Sequence, residues 1–234
     1  PLDSNLRLGP DYRPPERKTK FRFPEDEGSV AHATLRCVGI GTCRRTEGGT
    51  MCPSYRATRE EKHSTRGRAH LLHEALAGNF LREGWESEAV KEALDLCLAC
   101  KGCKKDCPVN VDLATYKSEF LYHYHEKNPR PRSARFMGKI DRWARIASKV
   151  PALANFGAQT PGLSRIAKEI AGVAPERDLP RFAAPTFKDW FFSRPRARSS
   201  KRVFLWSDTF TNYFEPWIAA SAVDRKRRGN LPAP

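Results

Sequence analysis

The sequence predicts a mainly helical chain with two cysteine groups at its centre, an extended N-terminal arm, and an irregular, basic C-terminal segment holding one short strand. Three observations lead there. Four of the seven Cys fall between Cys97 and Cys107, and the other three, Cys37, Cys43 and Cys52, precede them in a segment with helical apolar spacing. Excess positive charge is confined to the end: residues 1–36 carry 7 basic and 6 acidic side chains, residues 37–128 carry 14 and 13, and residues 129–234 carry 21 and 8, a net of +13. Leu, Ile, Val and Phe make up only 46 of 234 residues, at the edge of what folds by apolar burial alone, so something besides a large core is expected to hold the chain together.

Taken in order, residues 1–36 are polar and Pro-bearing and read as an extended arm or linker. Residues 37–128 form the central domain. Thr58-Arg-Glu-Glu61 has the form of a capping box, and Ser64 or Thr65 can cap a helix that carries Leu71, Leu72, Ala75 and Leu76 and stops at Gly78. Ser87 can cap a short helix with Val90, Ala93, Leu94 and Cys97 on one stripe, and Asp112 another with Leu113, Tyr116, Phe120, Leu121 and Tyr124. Asn128-Pro-Arg-Pro131 marks a boundary. Residues 129–202 then form a basic, Pro-rich segment, opened by a helix with Phe136, Ile140, Trp143, Ala147 and Val150 on one face and Arg135, Lys139, Arg142, Arg145 and Lys149 on the other. Gly and Pro interrupt every later pattern until Arg202-Val-Phe-Leu-Trp206, which reads as a strand opening a truncated last segment, residues 203–234.

The chemistry lies in the cysteines. An odd number of Cys, four of them in one tight run, suits a metal centre in a reducing compartment better than a disulfide framework, and no apolar run approaches a membrane span. A cytoplasmic protein is expected, with attachment to the inner face of a membrane left open. Cys97-Leu-Ala-Cys100-Lys-Gly-Cys103-Lys-Lys-Asp-Cys107-Pro108 is the C-x2-C-x2-C-x3-C-P spacing that bacterial ferredoxins use to hold a [4Fe-4S] cluster. Three thiolates on one loop must reach three corners of a cubane, and Gly102 relieves the backbone where it turns back. Zinc usually takes two separated C-x2-C pairs, so zinc or an unmetallated thiol group is the lesser alternative.

The upstream group reads as a second copy with one ligand missing. Laying C-x2-C-x2-C on Cys37 puts Ile40 where a thiolate belongs and Cys43 in third place, and the closing Cys52-Pro53 follows after eight residues instead of three. In two-cluster ferredoxins the fourth Cys of each run ligates the other cluster. Cys97, Cys100, Cys103 and Cys52 would then hold a [4Fe-4S] cluster. Cys37, Cys43 and Cys107 would hold a second with three protein thiolates, a [3Fe-4S] or an incompletely ligated [4Fe-4S]. The other reading is one cluster on Cys97, Cys100, Cys103 and Cys107, with Cys37, Cys43 and Cys52 as buried thiols. A fully thiolate-ligated cubane has no open site for substrate, so its chemistry is single-electron transfer and no residue is singled out as catalytic. Lys101, Lys104 and Lys105 flank the run, either tuning it, docking an acidic partner or simply facing solvent. His70, His73, His123 and His125 have helical or alternate spacing but no accompanying carboxylate or Cys, and Ser54 and Tyr55 read as supports for the cluster loop.

Longer stretches carry a resemblance. Cys37-Val-Gly-Ile-Gly-Thr-Cys43-Arg, Gly48-Gly-Thr-Met-Cys-Pro-Ser-Tyr55, Thr58-Arg-Glu-Glu, Ser64-Thr-Arg-Gly-Arg-Ala69 and Ala93 through Asp112 together resemble the iron-sulfur region of FAD-linked D-2-hydroxy-acid oxidoreductases, the glycolate oxidase, D-lactate dehydrogenase and D-2-hydroxyglutarate dehydrogenase type with a fused ferredoxin part. It runs from about Leu6 to about Phe214. The resemblance implies an α-helical ferredoxin that passes single electrons from the flavin of a dehydrogenase domain or subunit to a downstream acceptor. FAD would belong to a partner or to a domain outside this chain. Pro1 to Arg13 resembles the tail after such a flavin domain, and Val203 to Phe214 the opening strand and loop of a downstream one.

A reading of another class is a basic protein that binds nucleic acid or a membrane surface and carries a structural cluster, since the +13 segment includes Trp190-Phe-Phe192. No recognised nucleic-acid motif accompanies the charge. Because all seven Cys precede residue 129, deleting residues 129–234 is expected to leave the iron content per chain unchanged. Loss of iron from the truncated chain would show that the basic segment covers the cysteines.

Overall fold

The computed structural model describes residues 8–9, 11–195 and 203–228. They are predominantly helical, with no strand among the described residues. The chain divides between Pro129 and Arg130 into two compact units.

The first unit holds α1 (Val30–Leu35), α2 (Pro53–Thr58), α3 (Thr65–Ala77), α4 (Glu88–Asp95), α5 (Gly102–Asp106) and α6 (Leu113–Lys127). Four of these start where an oxygen-bearing side chain satisfies a free N–H: Ser29 accepts from His32 at 3.2 Å, Ser64 from Gly67 at 2.9 Å, Ser87 from Val90 at 3.5 Å and Asp112 from Thr115 at 3.2 Å. Helix α3 ends on Gly78 at φ +73°, the left-handed stop that glycine adopts freely. Helices α1, α4 and α6 all pack on α3. Leu72 and Leu76, one turn apart, meet Val30 and Ala33 of α1, Val90 and Leu94 of α4, and Tyr116 and Phe120 of α6 in one buried cluster. Each large apolar side chain buried there contributes about 1.5–3 kcal/mol.

The arm is tied down by polar groups. The fully buried Glu119 carboxylate accepts the Lys20 and Phe21 N–H groups at 2.8 and 2.9 Å and lies 2.9 Å from His123 Nε2. Arg17 donates to the Leu76 carbonyl at 2.9 Å, and Phe23 is buried against Tyr116. Residues 1–7 of the expected arm lie outside the described residues.

Two expectations for this unit are corrected. The arm is not extended to residue 36: it contains a 3-10 turn, Pro24–Asp26, and the helix α1, capped by Ser29, whose hydroxyl accepts the His32 N–H at 3.2 Å. Thr58 does not open a helix either. It closes α2, because Pro53 with its fixed φ already starts that helix, and its hydroxyl donates back to the Ser54 carbonyl at 3.0 Å.

The second unit holds α7 (Arg132–Met137), α8 (Ile140–Ala147), α9 (Pro151–Gln159), α10 (Leu163–Ala171), α11 (Phe187–Ser193), α12 (Thr209–Tyr213) and α13 (Pro216–Arg228). The expected single amphipathic helix over 135–150 is two, broken at Gly138-Lys139, with Phe136 stacked on Trp143 across the break at 5.9 Å. Nor is the segment after it irregular. Pro151 and Pro216 open helices, and Gly172 ends one in the left-handed conformation. The expected strand is absent: Val203 to Trp206 run without regular structure and largely exposed, and Arg202 lies outside the described residues. A strand needs a neighbour for its N–H and C=O groups, and none is present among the described residues. No helix among them is long and apolar enough to cross a membrane.

Among the described glycines of the first unit, Gly67 leaves the least room for a side chain. A Cβ there would sit 2.0 Å from the Glu61 carbonyl oxygen, in backbone that cannot swing aside. Gly67→Ala is therefore expected to cost about 3 kcal/mol of stability by overpacking, read by denaturant unfolding of the folded chain. A variant as stable as the wild type would contradict the packing of the 61–63 turn on α3.

Candidate iron-sulfur site

The upstream cysteines follow directly from the end of α1. Cys37 leaves that helix with its N–H on the Thr34 carbonyl at 3.4 Å, and the chain then turns through Gly39 and Gly41, both in the left-handed region, to place Cys43 in the 3-10 turn Thr42–Arg44. Both thiols are buried. One pocket is lined by Cys37, Ile40, Cys43, Met51, Arg66 and Cys107 among others. The last cysteine of the downstream run thus shares a pocket with the first two of the upstream run. Ile40 lines it too, with half its surface exposed. Burial pushes the Cys37 thiol above its ordinary pKa, opposed by a hydrogen bond from the Gly39 backbone.

The downstream run leaves α4 in the same way, with the Cys97 N–H on the Leu94 carbonyl at 3.0 Å. Ala99 and Lys101 both have positive φ, and this tight loop holds Cys100 at the surface while α5 carries Cys103 inward. Gly102 packs closely between them: its Cβ position lies 3.0 Å from Thr50 Oγ1 and 3.5 Å from Cys100 Sγ. Thr50 belongs to the long loop before Cys52, and Asp106 grips it, accepting the Thr50 N–H at 2.6 Å and its hydroxyl at 2.9 Å. These bonds hold the Asp106 carboxyl below its ordinary pKa.

Cys52 points the other way, towards the start of α3. Its sulfur accepts the Thr65 N–H at 2.9 Å and lies 2.7 Å from Thr65 Oγ1. Burial pushes its pKa up to about 11, against those two hydrogen bonds. Cys103 is likewise raised by burial and receives backbone hydrogen bonds from Leu113 and Lys104. Cys43 and Cys107 act electrostatically on Cys37, Cys43 acts also on Cys52, and Cys97, Cys52 and Cys103 act together on the guanidinium of Arg68.

The donor set fits iron-sulfur clusters: thiols only, partly buried, receiving backbone N–H bonds of the kind that stabilise a thiolate or sulfide. Among the described residues no three His, Cys, Asp or Glu side chains converge on one ion; a cubane spreads its thiolates over separate irons and sets them wider. Of the other residues singled out from the sequence, Ser54 supports the loop, donating to the His63 carbonyl at 3.1 Å, and Lys101 pairs with Asp112 at 2.8 Å, tying the run to the cap of α6. His73 lies between Thr34 Oγ1 and Tyr12 OH at 3.2 and 3.0 Å, and His123 between Glu119 and Glu126. Sequence reasoning missed Thr50, Asp106, Thr65 and Arg68. Only the Thr65 contact had a signal, its place beside the Ser64 cap.

Residues 32–111 match the model of the 4Fe-4S dicluster domain family. Over longer stretches the chain is similar to D-2-hydroxyglutarate dehydrogenase of Pantoea ananatis, 28% identical over 229 residues covering 77% of this chain and 22% of that protein, and to that of Escherichia coli, 25% identical over 81% and 23% of the two chains. It is also similar to the glycolate oxidase iron-sulfur subunit of Escherichia coli, 35% identical over 82 residues, 35% of this chain and 18% of that one. The chain spans about a quarter or less of these relatives' length. No solved structure matches it. The resemblance to the iron-sulfur region of FAD-linked oxidoreductases therefore holds, and the chain is read as an iron-sulfur electron-transfer module.

Ligand thiols must lose their protons when metal binds, and burial has raised those of Cys37, Cys52 and Cys103. Uptake of iron and sulfide by the apo-chain at fixed concentrations is thus expected to rise from about pH 7 to about pH 9, with proton release measurable in weak buffer. Uptake independent of pH over that range would contradict the burial of these thiols.

Proposed function

We propose that this chain relays single electrons from the flavin of a D-2-hydroxy-acid dehydrogenase, in a partner or a neighbouring domain, to a downstream acceptor. Two clusters carry the relay. Cys97, Cys100, Cys103 and Cys52 hold a [4Fe-4S] cluster, and Cys37, Cys43 and Cys107 hold the second, a [3Fe-4S] or a [4Fe-4S] with one iron lacking a protein thiolate. The observation that carries this reading is the pocket shared by Cys37, Cys43 and Cys107, with Ile40 standing where a fourth thiolate would stand. A single cluster on Cys97, Cys100, Cys103 and Cys107 gives no reason for Cys107 to line the upstream pocket or for Cys52 to face Thr65.

When bound, the clusters supply one-electron chemistry at potentials set by charge, hydrogen bonding and exposure. The chain's residues position and insulate them. Thr65 and Gly39 direct N–H groups at sulfur, Met51, Val109 and Val111 line the upstream pocket with apolar surface, and exposed Cys100 marks where an electron can enter or leave. A membrane surface as the acceptor's location is favoured by the second unit. Its net charge of +13 accompanies exposed Ile146, Leu153, Phe156, Ile166 and Ile170 on α8 to α10.

Ligand substitution tests the assignment. The oxidised protein as isolated is expected to show the near-isotropic EPR signal of [3Fe-4S], and Ile40→Cys to replace it and raise the iron count by about one per chain. Cys107→Ser should damage the upstream cluster and Cys52→Ser the downstream one. If Cys52→Ser leaves a full [4Fe-4S] signal and Cys107→Ser abolishes it, the downstream run ligates its own cluster and the two-cluster reading fails.

A further inference from the structure

Most cations of the first unit that approach another charge meet a carboxylate: Lys62 pairs with Glu92, Arg66 with Glu61, Lys91 with Asp95 and Lys101 with Asp112. Arg68 and Lys117 differ. Arg68 is 3% exposed and its hydrogen bonds go to neutral oxygens, the Ala93 carbonyl at 2.7 Å and Ser54 Oγ at 2.9 Å. Lys117, half-buried, donates to the Leu94 and Cys97 carbonyls, both at 2.7 Å. Both charges therefore sit on the last carbonyls of α4, and Lys117 also reaches the carbonyl of Cys97, where the downstream run begins. Ser54, the other end of Arg68's reach, is two residues from Cys52.

Part of this arrangement is helix capping, since cations are favoured at a helix C-terminus. Capping alone does not call for burying a guanidinium, which is costly without a fixed negative partner. We propose that Arg68, assisted by Lys117, is a positioning residue that compensates the charge of the downstream cluster and makes its reduction easier than that of the same cluster without them. This rests on the reading that Cys97, Cys100, Cys103 and Cys52 hold that cluster. Burial pushes both cations below their ordinary pKa, while Cys97 acts in the opposite sense on both, joined at Arg68 by Cys52 and Cys103. Reduction adds one negative charge to the cluster, and a nearby fixed positive charge in a medium of low dielectric constant stabilises the reduced form more than the oxidised one. Lys101, Lys104 and Lys105 are more exposed or already paired with Asp112, so water and that carboxylate screen them.

The test is an anaerobic, EPR-monitored redox titration of the iron-loaded chain as wild type, Arg68→Gln, Arg68→Lys and Lys117→Gln, with iron counted in each. Arg68→Gln is expected to lower the equilibrium constant for reducing the downstream cluster about tenfold, 59 mV for a one-electron couple. Arg68→Lys should recover most of that shift, Lys117→Gln should give a smaller shift in the same direction, and the upstream cluster should hold its potential. An iron-replete Arg68→Gln protein that reduces at the wild-type potential overturns the proposal, because a purely capping residue would lower the unfolding temperature and leave the potential alone. If Arg68→Gln cannot hold iron, an unchanged downstream potential in Lys117→Gln overturns it instead. A wild-type chain whose Cys97 run binds no cluster removes the ligand reading itself, a result the iron count and EPR spectrum separate from the other two.

Discussion

Thr50 lies against Gly102 with its N–H and hydroxyl both on Asp106, and the two cysteine runs depend on that contact to reach each other. The loop from Arg44 to Met51 is five residues longer than the spacing of the downstream run, and an unanchored loop of that length would leave Cys52 free to wander. Pinned at Thr50, it delivers Cys52 to the start of α3, while α5, starting at Gly102, delivers Cys107 to the upstream pocket. A Cβ at position 102 would lie 3.0 Å from Thr50 Oγ1, close enough that the Thr50 side chain would have to shift.

The thiols occupy space that a larger domain would give to apolar side chains. Cys37, Cys43, Cys52 and Cys103 belong to the buried cluster of the first unit together with Leu72, Leu76, Leu94 and Phe120. With so few aliphatic residues available, metal-ligand energy would add to burial when clusters bind, coupling folding to cluster assembly. Polar groups are drawn into the same interior, each with partners: Glu119 under the arm, Asp112 between Lys101 and the start of α6, and the Tyr116 hydroxyl on the Ala33 carbonyl at 2.8 Å. Burial pushes the Tyr116 phenol well above its ordinary pKa, so it stays a neutral donor.

Helices were legible where a side-chain cap stood directly before an apolar period, as at Ser64, Ser87 and Asp112. Helix α1 escaped notice because six residues hold less than two turns of pattern, and polar Glu25 to Ser29 precede it. In the second unit proline and glycine look like breakers in sequence but serve as boundaries: Pro151 and Pro216 supply the fixed φ of a first turn, and Gly172 the left-handed φ of a stop. Val203 to Trp206 has strand composition, yet composition does not supply a neighbouring strand. At the site, the grouping of Cys107 with Cys37 and Cys43 followed from the two Cys-Pro pairs, because a ligand rule fixes spacing along the chain. Burial of one particular arginine follows no such rule, and Arg68 became visible only when α3 was packed against α4.

As proposed above, the seven thiols hold two clusters rather than one. Iron and acid-labile sulfide counts on the anaerobically reconstituted chain, with Mössbauer spectra to separate cluster types, test it most directly. About seven or eight irons and about eight sulfides per chain are expected, in two spectrally distinct clusters. About four irons and four sulfides in a single [4Fe-4S] cluster, with Cys37, Cys43 and Cys52 still titrating as free thiols, would contradict it.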